Sequence, residues 1–375
     1  MLSKLNHDSY NVYMRVLIIF NHPAPYKVHA FNELAKYVDL TVLFERTKAK
    51  DRPDSFYSAN KYEFKHMFLK DHYFGNEGTT SNNVRKYIKE HHEEFDVILM
   101  NGYSHLAEIK AINYMHKHHI KFGLLINGGL AKTNEFFLKR KYKTSLIKKA
   151  SYYLSTTKSS TEYLKYYGAM EENIHSYYYS NFFNNEISKA SPKQKEELRE
   201  KYNLPKDKKI FINPCQFIDR KNNLFLLSLF KDCKDILVLV GSGPLQHKYL
   251  EYIKANKMNN VIILPYQPKE VINELYKASD VHITLSKYDI FGHTVLEAFS
   301  NGVPVISSNK VISGLDYIKD GYNGYVVDLE NPAKIKEMLE KINYSLSENA
   351  IKSAKENTFE NSAKSIYEKL KEIYE

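Results

Sequence analysis

The sequence predicts an α/β protein made of two facing doubly wound (Rossmann-like) domains, each on a parallel sheet. Three observations predict it. Short apolar runs alternate with helically spaced stretches along most of the chain. A polar segment with two prolines, NNEISKASPKQKEELREKYNLPKDKK, interrupts the alternation, which then restarts. At 375 residues the chain exceeds the ~250–300 residues at which a single core stops growing.

The first half reads as RVLIIFN strand, VHAFNELAKYV helix, LTVLFE strand, VRKYIKEHHEEF helix, DVILMNG strand, HLAEIKAINYMHKHH helix and KFGLLINGG strand. The apolar residues Val28, Phe31, Leu34, Ala35 and Val38 share one helical face. The second half reads as IFINPC strand, NNLFLLSLFKDC helix, ILVLVGSGP strand and turn, LQHKYLEYIKANK helix, VIILPY strand, KEVINELYKAS helix and DVHITLS strand. FGHTVLEAFSNG is then a helix opening at Gly292, PVISS and NGYVVD are strands, and helices follow to Glu375. The expected division is an extension over 1–13, an N-terminal domain over 14–185 and a C-terminal domain over 186–357. A terminal helix over 358–375 packs back on the first domain.

Composition narrows the function. Hydrophobic residues make up 43% of the chain, enough for large cores. The two cysteines, Cys215 and Cys233, lack metal-site spacing and suggest no disulfide framework, which fits a reducing, cytoplasmic compartment. No stretch reaches the ~18 apolar residues of a membrane span, and the run Val16–Phe20 is too short for a secretory signal. Net charge is +10, and residues 1–180 carry most of it, with 26 Lys/Arg against 18 Asp/Glu. The sharpest cluster is KTNEFFLKRKYKTSLIKKASYYL (132–154), seven basic residues interleaved with Phe, Tyr, Leu and Ile. It fits the inner face of an anionic membrane or an anionic substrate; a solvated helix face gives the same pattern. No nucleic-acid recognition motif accompanies the charge, so nucleic acid is not an expected partner.

Ligands of doubly wound sheets bind beyond the carboxyl ends of the strands. In the first domain those ends carry NHPAPYK (21–27), NGYSH (101–105) and NGGLAKTNE (127–135). Pro25, Tyr26, Asn101, Tyr103, Gly128 and Gly129 are the candidate binding residues there, suited to polyhydroxylic groups, and His22 and His105 are the titratable candidates beside them. No Gly-x-Gly-x-x-Gly follows the first strand and no Walker A sequence occurs, which weighs against nicotinamide and P-loop chemistry. In the second domain the ends carry CQFIDRKNN, GSGP, YQPKE and SKYDIFGHTVLEAFSNGVPVISS. Arg220 and Lys221 would give a diphosphate two cations, although a surface turn could hold the same pair. Gly241 and Gly243 permit a close backbone approach or a plain turn. Asp289 and Glu297 would flank an anion at Gly292. Two carboxylates there repel phosphate but accept hydroxyls, and a nucleotide sugar has hydroxyls on both sides of its diphosphate. Glu297 alone could instead be a first-turn carboxylate favourable to the helix dipole.

These motifs resemble those of the family-four (group 1) retaining glycosyltransferases of GT-B architecture. D-I-F-G-H-T-V-L-E-A followed by N-G-V-P-V-I-S is similar to the family's E-x-F-G-x-x-x-x-E-A element and the strand after it. ASDVHITLS, LVLVGSGP, QFIDRKNN and GYNGYVVD resemble four further family segments. Departures are Asp289 for the first Glu, Gln216 where a diphosphate-binding Arg is common, Leu285 for Pro, and PAPYK in place of a glycine-rich first loop. The resemblance implies a metal-independent, cofactor-free transferase that moves a sugar from a nucleoside diphosphate sugar, UDP-sugar favoured, with retention. The acceptor would be a saccharide or lipid-linked saccharide in surface polysaccharide (capsule-type) synthesis. The N-terminal domain would hold the acceptor and the C-terminal domain the donor. By the same resemblance Glu297 holds the ribose, Asp289 the donor sugar, and Arg220 with Lys221 the diphosphate. Gln216, Gly241, Gly243, Phe291, Gly292, His293 and Thr294 complete the donor-side set. A GT-B phosphorylase, a GT-B epimerase and a non-catalytic partner subunit are the alternatives.

Overall fold

The computed structural model describes residues 13–49, 54–58, 60–69, 73–74, 78–79, 82–131 and 134–375. The expected extension therefore lies, all but Tyr13, outside the described residues. The N-terminal domain runs β1 (Arg15–Phe20), α1 (Pro25–Ala35), β2 (Asp39–Phe44), β3 (Lys65–Phe68) and a small hairpin, β4 (Tyr73–Phe74) with β5 (Gly78–Thr79). It continues with α2 (Asn83–His91), β6 (Val97–Met100), α3 (Leu106–Lys117), β7 (Gly123–Ile126), α4 (Phe137–Ile147), β8 (Tyr152–Ser155), α5 (Lys158–Tyr166) and β9 (Ile174–Ser176). Its main sheet has the order β3-β2-β1-β6-β7-β8-β9, parallel throughout.

The C-terminal domain runs α6 (Pro192–Lys201), β10 (Ile210–Pro214), α7 (Asn223–Phe230), β11 (Ile236–Val240), α8 (Gln246–Ala255), β12 (Val261–Leu264), α9 (Lys269–Ala278) and β13 (Val281–Thr284). Then come α10 (Thr294–Ser300), β14 (Val305–Ser308), α11 (Ile312–Tyr317), β15 (Gly324–Val327), α12 (Pro332–Lys341), α13 (Ser347–Lys355) and α14 (Phe359–Tyr374). Its sheet, β12-β11-β10-β13-β14-β15, is also parallel. This is the expected pair of doubly wound domains. In both sheets the strand order reverses beside the first strand, so β1/β6 and β10/β13 open the crevices.

Central strands such as β1, β6, β10 and β11 are almost continuously apolar because both faces are covered. In β10, Ile210 and Ile212 face one core while Phe211 faces the other. In β1, Val16, Ile18 and Phe20 pack with Val28, Phe31 and Leu34 of α1, and Leu17 and Ile19 point to the opposite layer. Proline opens α1, α6 and α12, where its missing N–H leaves no bond unmade. Ser191 and Gln194 close a reciprocal capping box on α6.

Two differences from the sequence reading have physical causes. Strands β3, β4, β5, β8 and β9 were not expected. YYLS in β8 is buried on every residue, so it shows no period-two signal, and β9 is only three residues long. The helix expected to open at Gly292 opens at Thr294, because Gly292 adopts φ +85° and its carbonyl accepts from Ser313 Oγ at 2.7 Å. Helix α14 leaves the second domain and packs on the first: Ala363, Ile366 and Leu370 enter the core beneath α1.

The seam between the domains is polar and close. Tyr317 Oη donates to the Thr156 carbonyl at 3.4 Å, and the Ser159 amide donates to Asp316 Oδ1 at 3.3 Å. In the second sheet, His282 ties β13 to the start of α10. Its Nδ1 faces the Ile212 carbonyl at 2.9 Å, and a carbonyl only accepts, so Nδ1 carries the proton and Nε2 accepts from Thr294 Oγ1 at 3.1 Å. Burial lowers the His282 pKa to about 3, so the ring stays neutral at physiological pH.

Candidate active site

The C-terminal wall is built around Asp289. Its loop, between β13 and α10, is pinned from below: Asp289 N donates to the Lys310 carbonyl at 2.9 Å and Ser313 N to the Phe291 carbonyl at 2.8 Å. A Cβ on Gly292 would stand 2.5 Å from Val311 Cγ1, so glycine is required by space as well as by φ. Arg220 and Lys221 come from one turn after β10. Lys221 Nζ lies 2.5 Å and Arg220 Nη1 3.1 Å from the same oxygen, Asp289 Oδ2. Burial pushes the Asp289 carboxyl up, but the two cations outweigh it and hold it below the usual range. Lys287 N donates to the Arg220 carbonyl and Asn222 Nδ2 to the Leu285 carbonyl, locking the two loops together.

Glu297 lies in the first turn of α10, one turn beyond His293. Its Oε1 accepts from Asn181 Nδ2 at 2.8 Å, and burial raises its pKa. Phe291 packs on Tyr179 at 4.3 Å, and His293 packs on Tyr26 at 4.8 Å, so the loop after β13 touches both the linker and α1. Thr294 is held by His282, as above. Gly241 and Gly243 are demanded by backbone proximity: a Cβ would meet the Cys215 carbonyl at 2.0 Å and the Phe217 carbonyl at 2.6 Å. Gln216 sits half-buried within that Cys215–Phe217 segment.

On the N-terminal wall Pro25 and Tyr26 open α1. Asn101 and Asn127 are linked at 3.2 Å, and Tyr177 Oη donates to Asn127 Oδ1 at 2.6 Å. Tyr103 and Tyr163 share a hydroxyl–hydroxyl bond, and Gly129 is pressed against the Tyr163 ring. Gly128 is a domain contact, because a Cβ there would stand 2.1 Å from the Ile290 carbonyl. His22 Nδ1 lies 3.1 Å from Tyr57 Oη. His105 precedes α3, with Nδ1 3.9 Å from Glu45 Oε2 and 3.7 Å from Glu108 Oε1. Glu45 holds its pKa above the ordinary value, while burial raises that of Glu108.

Among the described residues, Glu45, His105 and Glu108 alone offer three metal-binding atoms close together, all within 4.8 Å. Glu108 Oε2 already accepts from the Ser104 and His105 amides at 2.7 and 2.9 Å, which commits it to capping α3. Sequence reasoning missed Glu45, Glu108, Asn181 and Tyr179. Only the short run YYYSN, placed just before the expected boundary, could have drawn attention to the last two.

Comparison with known proteins identifies the architecture. Residues 194–364 match the family described as Glycosyl transferases group 1. An uncharacterised glycosyltransferase of Methanocaldococcus jannaschii is 33% identical over 131 residues, 33% of this chain and 32% of that protein. The aligned part spans 32–46% of the first three curated relatives. The O-antigen biosynthesis glycosyltransferase WclY of Escherichia coli is 25% identical over 67% of this chain and 73% of its own. Among solved structures, Anabaena Alr3699/HepE in complex with UDP aligns with a TM-score of 0.75 and 17% identity, over 96% of this chain and 99% of that one. That likeness establishes the two-domain GT-B fold.

The Glu297 environment makes a prediction. A carboxyl whose pKa is raised on folding costs stability once pH rises above its unfolded value, near 4.3. Glu297→Gln keeps an acceptor for Asn181 and removes that cost. The variant should match or exceed the wild-type Tm at pH 7.5, with the difference shrinking toward pH 4. A Tm well below wild type at pH 7.5 would make Glu297 a structural residue instead.

Proposed function

We propose, for a chain whose residues 194–364 match the group 1 glycosyl transferases, that the protein transfers a sugar from a nucleoside diphosphate sugar to a hydroxyl acceptor held by the N-terminal domain. One observation carries the reading: Arg220 and Lys221 converge on Asp289 beyond the carboxyl ends of β10 and β13, and Glu297, tied to Asn181, stands within reach of the Lys221 charge. The anomeric carbon–oxygen bond to the diphosphate breaks, and the acceptor oxygen bonds to the same carbon. The acceptor proton passes to the departing phosphate. Arg220 and Lys221 stabilise the charge that develops on that phosphate. Asp289, released from them, accepts hydroxyls of the donor sugar, and Glu297 accepts the ribose hydroxyls. Retention of configuration and independence from metal belong to the proposal. A UDP-sugar is the favoured donor, supported by the solved complexes of the Anabaena protein with UDP and UDP-glucose.

A thermal-shift panel of UDP-, GDP-, ADP- and CDP-sugars tests this. One donor at 100 times its Kd should stabilise the fold by about 2.7 kcal/mol. Turnover of that donor should survive EDTA, and NMR of the product should show the donor's anomeric configuration. No stabilisation by any donor would contradict the reading.

The acceptor proposed is a saccharide, lipid-linked where the product is a surface polysaccharide, met at the cytoplasmic face of a membrane. No helix among the described residues is long and apolar enough to cross a membrane. The support is α4 and the residue before it: Phe136, Phe137, Leu138 and Tyr142 are all more than half exposed, with Lys139 and Lys141 exposed between them. Apolar side chains with interleaved lysines suit an anionic lipid surface. Two basic residues of the segment are otherwise engaged, Lys143 with Glu135 at 2.7 Å and Arg140 over the Tyr166 ring at 4.3 Å. In a flotation assay the protein should bind phosphatidylglycerol vesicles in a salt-sensitive way. Phe137→Ser with Lys139→Gln and Lys141→Gln should abolish that binding and spare turnover on a soluble acceptor. Wild-type protein that ignores such vesicles would remove the membrane claim.

A further inference from the structure

Lys27 is a buried cation with no anion. Its side chain is 7% exposed, in the first turn of α1. Neither a hydrogen bond nor an ion pair reaches its Nζ among the described residues. Rings surround it instead: Nζ lies 4.5 Å from the Tyr179 centroid, 5.6 Å from Phe20 and 6.0 Å from Tyr26. Three other enclosed cations are ion-paired. Lys195 and Arg199 both meet Asp280, at 2.7 and 2.6 Å, and Lys221 meets Asp289. Cation–π contact offsets part of the cost of burying an ammonium, but far less than a carboxylate would.

Its place in the fold supplies a reason to keep it. Tyr179, on which Lys27 sits, packs against Phe291 at 4.3 Å and His293 at 5.5 Å. Tyr26, its neighbour in sequence, packs on His293 at 4.8 Å. Lys27 is therefore one aromatic ring away from the loop that carries Asp289, on the N-terminal side of the seam, whereas Arg220 and Lys221 reach that loop from the C-terminal side. We propose that Lys27 is a third cation of the donor site, the one contributed by the N-terminal domain, and that its ligand is a phosphate oxygen of the bound nucleoside diphosphate. This rests on the nucleotide-sugar reading above and adds to it a binding residue from the opposite domain. It also makes donor binding draw the two domains onto one ligand.

Burial lowers the Lys27 pKa to about 7. The titratable groups near it are Tyr26, Tyr179, His293 and, on the far side of Tyr179, Glu297. Burial holds Tyr179 well above its ordinary value, so that ring stays neutral. At pH 8 Lys27 is then largely uncharged in the free protein, and a diphosphate beside it would draw a proton onto it.

Calorimetry with UDP and uridine tests the inference on the full chain, comparing wild type with Lys27→Met. Methionine fills the same space without charge, so the variant should fold with an equal or higher Tm. Its UDP affinity at pH 7 should fall at least tenfold, while uridine affinity stays within twofold. At pH 8, titrations in two buffers of different ionisation enthalpy should show wild type taking up a large fraction of a proton with UDP, and the variant taking up none. Unchanged UDP affinity and unchanged proton uptake in Lys27→Met would overturn the inference and leave the transferase reading standing. So would a lower Tm with uridine and UDP affinity falling together, since that is the mark of a structural lysine. Wild-type protein that binds none of UDP, GDP, ADP and CDP would overturn the donor site itself and this inference with it.

Discussion

The site depends on one buried carboxylate that holds two cations. Asp289 Oδ2 receives both Lys221 and Arg220. Removing one partner of a buried pair typically costs ~3–5 kcal/mol, because the survivor is left desolvated and unmatched. That requirement fixes the loop after β10 against the loop after β13, the two strands between which the sheet order reverses. Gly292 follows from the same constraint. The chain must turn within three residues of Asp289, over Val311 and Ser313, where a Cβ has no room. His282 then sets where α10 begins, by holding Thr294 from the strand beneath. The ion pair, the glycine and the buried imidazole form one support for the donor-side loop.

The same loop joins the two halves of the molecule. Ile290 presses its carbonyl toward Gly128, His293 meets Tyr26, Phe291 meets Tyr179, and Glu297 takes the amide of Asn181. The residues proposed to address a ligand and the residues that hold the domains together are therefore largely the same. Binding in this cleft and domain position are physically linked, and α14, which starts beside the linker and ends in the first domain's core, adds a covalent tether to that link.

The fold was legible in the sequence because parallel strands covered on both faces are continuous apolar runs, and helices between them keep their periodicity. The losses were local. YYLS in β8 reads as neither alternation nor an aliphatic run, and a three-residue strand such as β9 carries too little pattern to register. The candidate residues Asp289, Glu297, Arg220 and Lys221 were singled out because they stand beside turns at strand ends. Their pairing was not legible. Nothing in the spacing of residue 221 and residue 289 says that the lysine meets the aspartate, since that contact is made by tertiary register. Asn181, Tyr179, Glu45 and Lys27 were invisible for the same reason: each acquires its role from a partner more than 50 residues away or across the seam.

The central claim is that the Asp289 carboxylate occupies the position a phosphate takes when donor binds. A crystal structure of the protein with UDP tests it most directly. The account predicts that phosphate oxygens replace Asp289 Oδ2 on Lys221 Nζ and Arg220 Nη1, with the carboxylate turned toward the sugar side of the cleft. A complex with UDP bound, in which Lys221 and Arg220 still grip Asp289 and no phosphate oxygen reaches either cation, would contradict it.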